Sequence, residues 1–330
     1  MMTLRLMTTL IDTLHDGESQ IANQIAAPWE PDAGSVRFFR ASANFLFTMT
    51  IADQPYMLRF NHADERTSDT IRAEVDYLHF LADEGIDVPR ILRSKAGSYV
   101  ESISTELGTF HAVVFERMMG PQRELDELTT DGFVTWGAAL GKLHNAAQRY
   151  HGTGRSAWQD HLAWVAASLP ADEQSARRAL SKLQGELNKL PVTPQNFGLI
   201  HYDFELDNVL WNAHGLSIID FDDCAHYWFI ADVAYALRDL ADDSADQVDL
   251  ADVRLAAFIE GYRTARELSQ SELALIQLFL RVHHLILLTK LRRTLNLEQQ
   301  ADESSWVTNL HQKLLARIQR YREELAAYAN

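Results

Sequence analysis

The chain has 330 residues, 47% hydrophobic and 23% charged, which suits an ordinary soluble globular protein of two domains or lobes with a sizeable core. Thirty basic against 46 acidic residues leave a formal charge of -16, so neither nucleic acid nor an anionic membrane is the expected partner, since both require a basic footprint. The single cysteine, Cys224, excludes an internal disulfide and a cysteine-rich zinc site, and a reducing cytoplasm fits.

Residues 1 to about 25 read as helical, without the apolar core and cleavage site of a signal peptide, until "APWEPDAGS" breaks the pattern. "VRFFRASANFLFTMTIADQPYMLRF" then has short β-prone runs split by "IADQP", the pattern of three antiparallel strands. In "DERTSDTIRAEVDYLHFLADEG", Ile71, Val75, Leu78 and Leu81 keep helical spacing and Gly85 suits a helix end. "SYVESISTELGTFHAVVFERM" reads as a hairpin turning at Leu107 and Gly108. Residues 1–117 therefore predict an antiparallel sheet with one helix packed across it, and "MMGPQ" a linker into a second domain, 118–330.

Beyond the linker, helices are expected through "GFVTWGAALGKLHNAAQRY" and "ADEQSARRALSKLQGELNKL". The loop "YHGTGRSAW" between them lacks the lysine of a P-loop. "GLIHYD", "NVLWN" and "LSIID" read as short strands, and from "ADVAYALRDL" onward only helices are expected. "DLADDSADQVDLADV" reads as a solvated loop or helix face. "LALIQLFLRVHHLILLTK" is interrupted by Gln277, Arg281, His283 and His284. It reads as a buried helix, since a membrane span takes about 20 mostly uncharged residues.

The chemistry is concentrated in "IHYDFELDNVLWNAHGLSIIDFDD", residues 200–223. Carboxylates crowded beside predicted buried strands repel one another and resist leaving water, so a cation from solution is implied. His201, Asp203 and Asn208 are spaced H-x-D-x-x-x-x-N, and Asp220 stands twelve residues past Asn208 at the end of "LSIID". A hairpin turning near Ala213, His214 and Gly215 would bring Asn208 and Asp220 to one end. An amide oxygen and a carboxylate there form a hard-oxygen half-site for magnesium, completed by water and phosphate oxygens. Asp203 is a candidate base for an attacking hydroxyl.

These residues resemble the aminoglycoside phosphotransferase and choline kinase group, over roughly residues 35 to 300. The resemblance implies an α+β, two-lobed protein-kinase-like fold, with an antiparallel-sheet N-lobe and a mostly helical C-lobe. It also implies transfer of the γ-phosphate of ATP, with Mg2+, to a hydroxyl of a small molecule. Asp203 looks like the catalytic aspartate, and Asn208 and Asp220 like the magnesium ligands. His201 resembles the structural histidine beneath the catalytic loop, and Asp232 the buried aspartate bracing it. Arg59 stands where the family's strand lysine touches the α- and β-phosphates, and Glu74 resembles the helix carboxylate that holds it. "VVFERMMG" is similar to the hinge, where the carbonyl of Glu116 and the amide of Met118 would receive the adenine edge. "RASANFLF" has no glycine, so Ser42 and Asn44 stand in for the nucleotide-covering loop.

Asp222 and Asp223 read either as contacts for a cationic acceptor or a second metal, or as caps of a helix beginning near Ile230. The resemblance leaves the acceptor open among aminoglycosides, amino alcohols and sugars, and GTP open beside ATP. Alternatives are a bacterial Ser/Thr protein kinase of the same fold, a non-catalytic nucleotide-binding regulator, and a metal hydrolase built on His201, Asp203, Asp220 and His226. Acidic balance favours an amine-bearing acceptor.

Overall fold

The computed structural model describes residues 4–240, 249, 251–296 and 305–330. In chain order, α1 (Leu4–Ile11) and α2 (Gln20–Ala26) lead into β1 (Arg37–Ala41), β2 (Phe45–Ile51) and β3 (Gln54–His62). Then come α3 (Ser68–Asp83), β4 (Ile91–Leu92), β5 (Glu101–Thr105) and β6 (Gly108–Glu116). The chain continues through α4 (Thr130–Ala147), α5 (Trp158–Ser168), α6 (Gln174–Leu187), β7 (Phe197–Ile200), β8 (Val209–Asn212), β9 (Gly215–Ile218) and β10 (Ala225–Trp228). It ends with α7 (Phe229–Ala236), α8 (Val253–Ala265), α9 (Gln270–Leu273), α10 (Ile276–Asn296) and α11 (Ser305–Ala329). Two compact units result: a sheet unit of residues 1–127, 149–155 and 206–222, and a helical unit of 128–148, 156–205 and 223–330.

In the sheet unit the strands are ordered β1-β2-β3-β6-β4, all antiparallel, with β5 also paired to β6. Alternation along β2 and β3 puts Phe45, Phe47, Leu58 and Phe60 on one face, where they join Leu10, Ile21, Ile25 and Trp29 from the N-terminal helices. Phe60 stacks on Phe45 at 5.1 Å and meets Phe110 edge-on at 5.5 Å. The opposite face carries Arg59 and is met by α3, whose Thr67 cap accepts from Thr70 N at 3.2 Å. The predicted three strands, α3 and the hairpin at Leu107 are all present. The single N-terminal helix is instead two, broken where His15 and Glu18 bridge.

A single boundary at residue 117 does not describe the chain, because the β8–β9 hairpin belongs to the sheet unit. Asp87 accepts from Ser217 Oγ at 2.7 Å and from Asn212 Nδ2 at 3.0 Å, and its carbonyl accepts from Ile218 N at 2.8 Å. Trp211 N donates to the Pro121 carbonyl at 3.0 Å. Gly120 has φ +146°, and a Cβ there would stand 2.5 Å from the Trp211 carbonyl, so only glycine lets the "MMGPQ" segment lie this close. These long-range bonds leave no periodic trace in the sequence.

In the helical unit, α4 and α8 approach closely at glycines: a Cβ on Gly137 would fall 1.9 Å from the Phe258 carbonyl, and one on Gly261 1.9 Å from that of Val134. Two elements were not expected: α5, capped by Asp160 accepting from Ala157 N at 2.8 Å, and β10, which pairs with β7. α10 packs against α5, α6, α7 and α11. The stretch Gln270–Arg293 is long and apolar enough by composition to cross a membrane, but its most apolar part is mostly buried inside the protein, as a core helix would be. The acidic run at 239–253 lies largely outside the described residues.

Candidate active site

In the sheet unit, the β8–β9 hairpin is closed by Asn212 Oδ1, which accepts from His214 N at 2.7 Å, with Gly215 at φ +129°. Its ladder runs from Asn212 opposite Gly215 to Val209 opposite Ile218, and Ile219 N then donates to the Asn208 carbonyl at 3.0 Å. Asn208 and Asp220 therefore stand at the same open end, as the spacing predicted. Asn208 is buried, and Asp220 takes φ +65°, a conformation that aspartate tolerates and that collects at functional sites. An amide and a carboxylate at this position fit a hard divalent cation whose other ligands come from water or phosphate. Among the described residues no three His, Cys, Asp or Glu side chains cluster to hold a metal ion by themselves.

Arg59 and Glu74, fifteen residues apart, form a buried fork-to-fork pair with bonds of 2.8 and 2.6 Å. The guanidinium lies over Phe115 at 5.0 Å. Burial alone would lower its pKa, but the Glu74, Asp222 and Asp220 carboxylates more than offset that and hold it above the ordinary arginine value. Planarity explains arginine here: the fork matches a carboxylate edge and a ring face, which a lysine ammonium cannot do.

Asp222 is buried among cations. It accepts from Arg66 Nη2 at 2.9 Å and from Asn44 Nδ2 at 3.4 Å, lies 4.0 Å from Arg59, and its carbonyl accepts from Arg155. Asn44 is thus directed to Asp222, while Ser42 is exposed at the β1–β2 turn, where its N–H donates to the Asn44 carbonyl. Glu116 closes β6 and Met118 lies just past it. Arg66 and Arg155 escaped the sequence reading because a lone arginine in "DERTSD" or "GTGRSA" carries no pattern.

In the helical unit, Asp232 on α7 is fully buried and collects three donors. They are His201 N at 2.8 Å and Tyr202 N at 2.8 Å, both to one loop, and His144 Nε2 at 3.0 Å. Tyr202 is held at φ +75°, unusual for a bulky residue, between the two motif positions His201 and Asp203. His201 is buried, and its Nδ1 accepts from Asp203 N at 3.3 Å. Arg238, also missed by sequence, donates to Asp203 Oδ1 at 2.8 Å and to Glu205. Burial would lower the Arg238 pKa, and the carboxylates of Asp203 and Glu205 raise it above the ordinary value. Asp223 lies 3.7 Å from Lys290 of α10. Neither Asp222 nor Asp223 caps α7: its N-cap is Trp228, because β10 intervenes before the helix begins.

His144 and His283 are buried, and burial is the first cause holding both pKa values below the ordinary 6.5. Around His283, the cations Arg238, Lys290 and Arg317 and the neighbouring His284 add to the effect. Below pH 6.5 the unfolded chain binds these protons and the folded chain does not, so stability must fall as pH drops from about 7 toward 5. The slope approaches about 1.4 kcal/mol per pH unit wherever one such histidine binds a proton in the unfolded chain alone. His283→Gln should flatten the urea-midpoint profile in that window; an unchanged slope would remove His283 from the account.

Residues 36–268 match the family model described as the phosphotransferase enzyme family, APH. Amicoumacin kinase of Bacillus subtilis (strain 168) is 26% identical over 296 residues, covering 87% of this chain and 88% of the relative. Among solved structures, an amicoumacin kinase in complex with AMP-PNP, Ca2+ and Ami superposes with TM-score 0.80 at 24% identity, over 93% of this chain and 92% of that one. The microcompartment-associated aminopropanol kinase gives TM-score 0.69 at 25% identity, over 94% and 95%. The chain belongs to the phosphotransferase enzyme family and is a phosphotransferase with the α+β, protein-kinase-like fold.

Proposed function

We propose that the chain transfers the γ-phosphate of ATP, with Mg2+, to a hydroxyl of a small amine-bearing molecule in a reducing cytoplasm. The observation that carries the reading is the hydrogen bond from Ile219 N to the Asn208 carbonyl, which sets Asn208 beside Asp220 at one hairpin end. Those two side chains would hold the divalent cation, which would supply neutralisation of phosphate charge. Asp203 takes the proton of the acceptor hydroxyl as the new O–P bond forms and the bond to the β-phosphate oxygen breaks, releasing ADP. Arg238 keeps the Asp203 carboxylate in place, and Asp232 and His201 brace the loop that carries it. Arg59, oriented by Glu74, steadies the α- and β-phosphates; Ser42 covers them; the Glu116 carbonyl and Met118 amide receive the adenine edge.

An amine-bearing acceptor is supported by the charge of -16 and by the carboxylates of Asp203, Glu205 and Asp223 in the helical unit. The relative that acts on aminopropanol takes a substrate of that class. The test is a coupled ADP-release screen over amino alcohols, aminoglycosides, amicoumacin and plain sugars, with ATP and GTP in parallel. Acceptor-dependent ADP release with an amine-bearing hydroxyl compound is the expected result. Release with none, or phosphate incorporated only into protein, would overturn the proposal. Asp220→Asn should weaken Mg2+-dependent binding of a non-hydrolysable ATP analogue about tenfold or more, because an amide replaces a charged metal ligand. Equal binding by calorimetry would refute the ligand assignment.

A further inference from the structure

We infer that Arg40, on β1, is a second phosphate-binding cation of the nucleotide site, acting on the terminal phosphates; the inference rests on the nucleotide reading proposed above. The argument begins with strand register. β1 pairs with β2 as Arg37 opposite Thr48 and Phe38 opposite Phe47, then skips a residue, so that Arg40 faces Leu46 and Ala41 faces Phe45. Phe39 is the inserted residue, 54% exposed. Strict alternation would put Arg40 on the same side as Phe38, against the aromatic core. The bulge sends it to the other face.

That face is the one carrying Arg59. Leu46, opposite Arg40 on β2, is itself opposite Arg59 on β3. Arg40, Leu46 and Arg59 thus form one cross-strand row, with the two arginine Cα atoms about 10 Å apart by strand spacing. Both guanidiniums reach acids of the "DFDD" segment: Arg40 Nη2 is 3.8 Å from Asp220 Oδ2, and Arg59 Nη1 is 4.0 Å from Asp222 Oδ1. Arg59 is already committed to Glu74 by two bonds, whereas Arg40 is half exposed and can still move.

A surface ion pair at 3.8 Å contributes little to stability, so stability does not account for a bulge that aims an arginine at Asp220. Anion recognition does. A triphosphate whose cation is held by Asp220 presents its terminal oxygens beside that carboxylate, within the sweep of an arginine already resting there. The guanidinium fork suits phosphate oxygens. The β1–β2 turn has no glycine from residue 40 to 47, so its backbone is not the flexible cradle of a glycine-rich loop, and a side chain takes over the task.

Calorimetry on the full chain with Mg2+ tests this, using a non-hydrolysable ATP analogue and, separately, AMP. Arg40→Gln should weaken the analogue about ten- to a hundredfold and leave AMP unchanged. Arg40→Lys should restore part of the affinity. Its melting temperature should match the parent, and if Arg40→Gln fails to fold, the Lys variant decides by the same comparison. Unchanged analogue binding in the variants, or equal loss for analogue and AMP, would overturn the inference while the kinase reading stands. If the parent chain binds no triphosphate analogue, the kinase reading falls and takes the role of Arg40 with it.

Discussion

Asp203→Asn should slow phosphoryl transfer by about a hundred- to ten-thousandfold, the range associated with losing a positioned general base. Nucleotide affinity should not change. The substitution is isosteric and removes only the proton acceptor: the amide oxygen can still accept from Arg238 Nη2, the partner of Asp203 Oδ1 at 2.8 Å. The carboxylate side chain is 37% exposed, so no buried charge is stranded by the change. The proposed phosphate contacts at Arg59 and Glu74 lie in the other unit and keep their own pairing. Single-turnover ADP formation with acceptor, alongside calorimetry with an ATP analogue, reads the two effects separately. Near-normal turnover would remove the base assignment; loss of both activities would mean that the carboxylate supports the fold instead.

Asp232→Ala is expected to have the largest effect on stability, about 3–5 kcal/mol by urea unfolding. One buried carboxylate satisfies two backbone N–H groups and the His144 ring, and alanine leaves all three without that acceptor at a fully buried position. The network extends further, since His144 Nδ1 and the Tyr262 hydroxyl are 2.8 Å apart, with the neutral ring donating to Asp232 and accepting from the phenol. The same two backbone bonds keep Tyr202 at φ +75°. Without them the loop can relax toward an ordinary conformation and displace Asp203 next door, so turnover should fall in whatever fraction remains folded. Asp232→Asn should lie between the two, because its amide keeps one acceptor but turns an NH2 toward a second donor. A loss below about 1 kcal/mol for Asp232→Ala would mean that water replaces the carboxylate and that the brace is not needed.

Arg40 and Arg238 show where the reach of a linear reading ends. Nothing in "VRFFRAS" distinguishes one arginine from another until the bulge at Phe39 is known, and a bulge is a property of two strands together. Arg238 follows "ADVAYAL" with the spacing of an ordinary amphipathic helix, and only the fold lays it against Asp203 and Glu205. Asp222 and Asp223 are neighbours in the chain yet belong to different units, one facing arginines of the sheet unit and the other Lys290. A cap-or-acceptor reading could not separate them.

What the sequence determined by itself was local chemistry at short range. A hairpin of fixed turn length brings Asn208 and Asp220 together, and alternating apolar residues lay out β2 and β3, because backbone geometry alone sets both. The tertiary structure alone decided which cations meet which carboxylates, that Asp87 and Gly120 tie β8–β9 to the sheet, and that three donors converge on Asp232. Such contacts join residues many positions apart, and their energy comes from burial and pairing that no local pattern encodes.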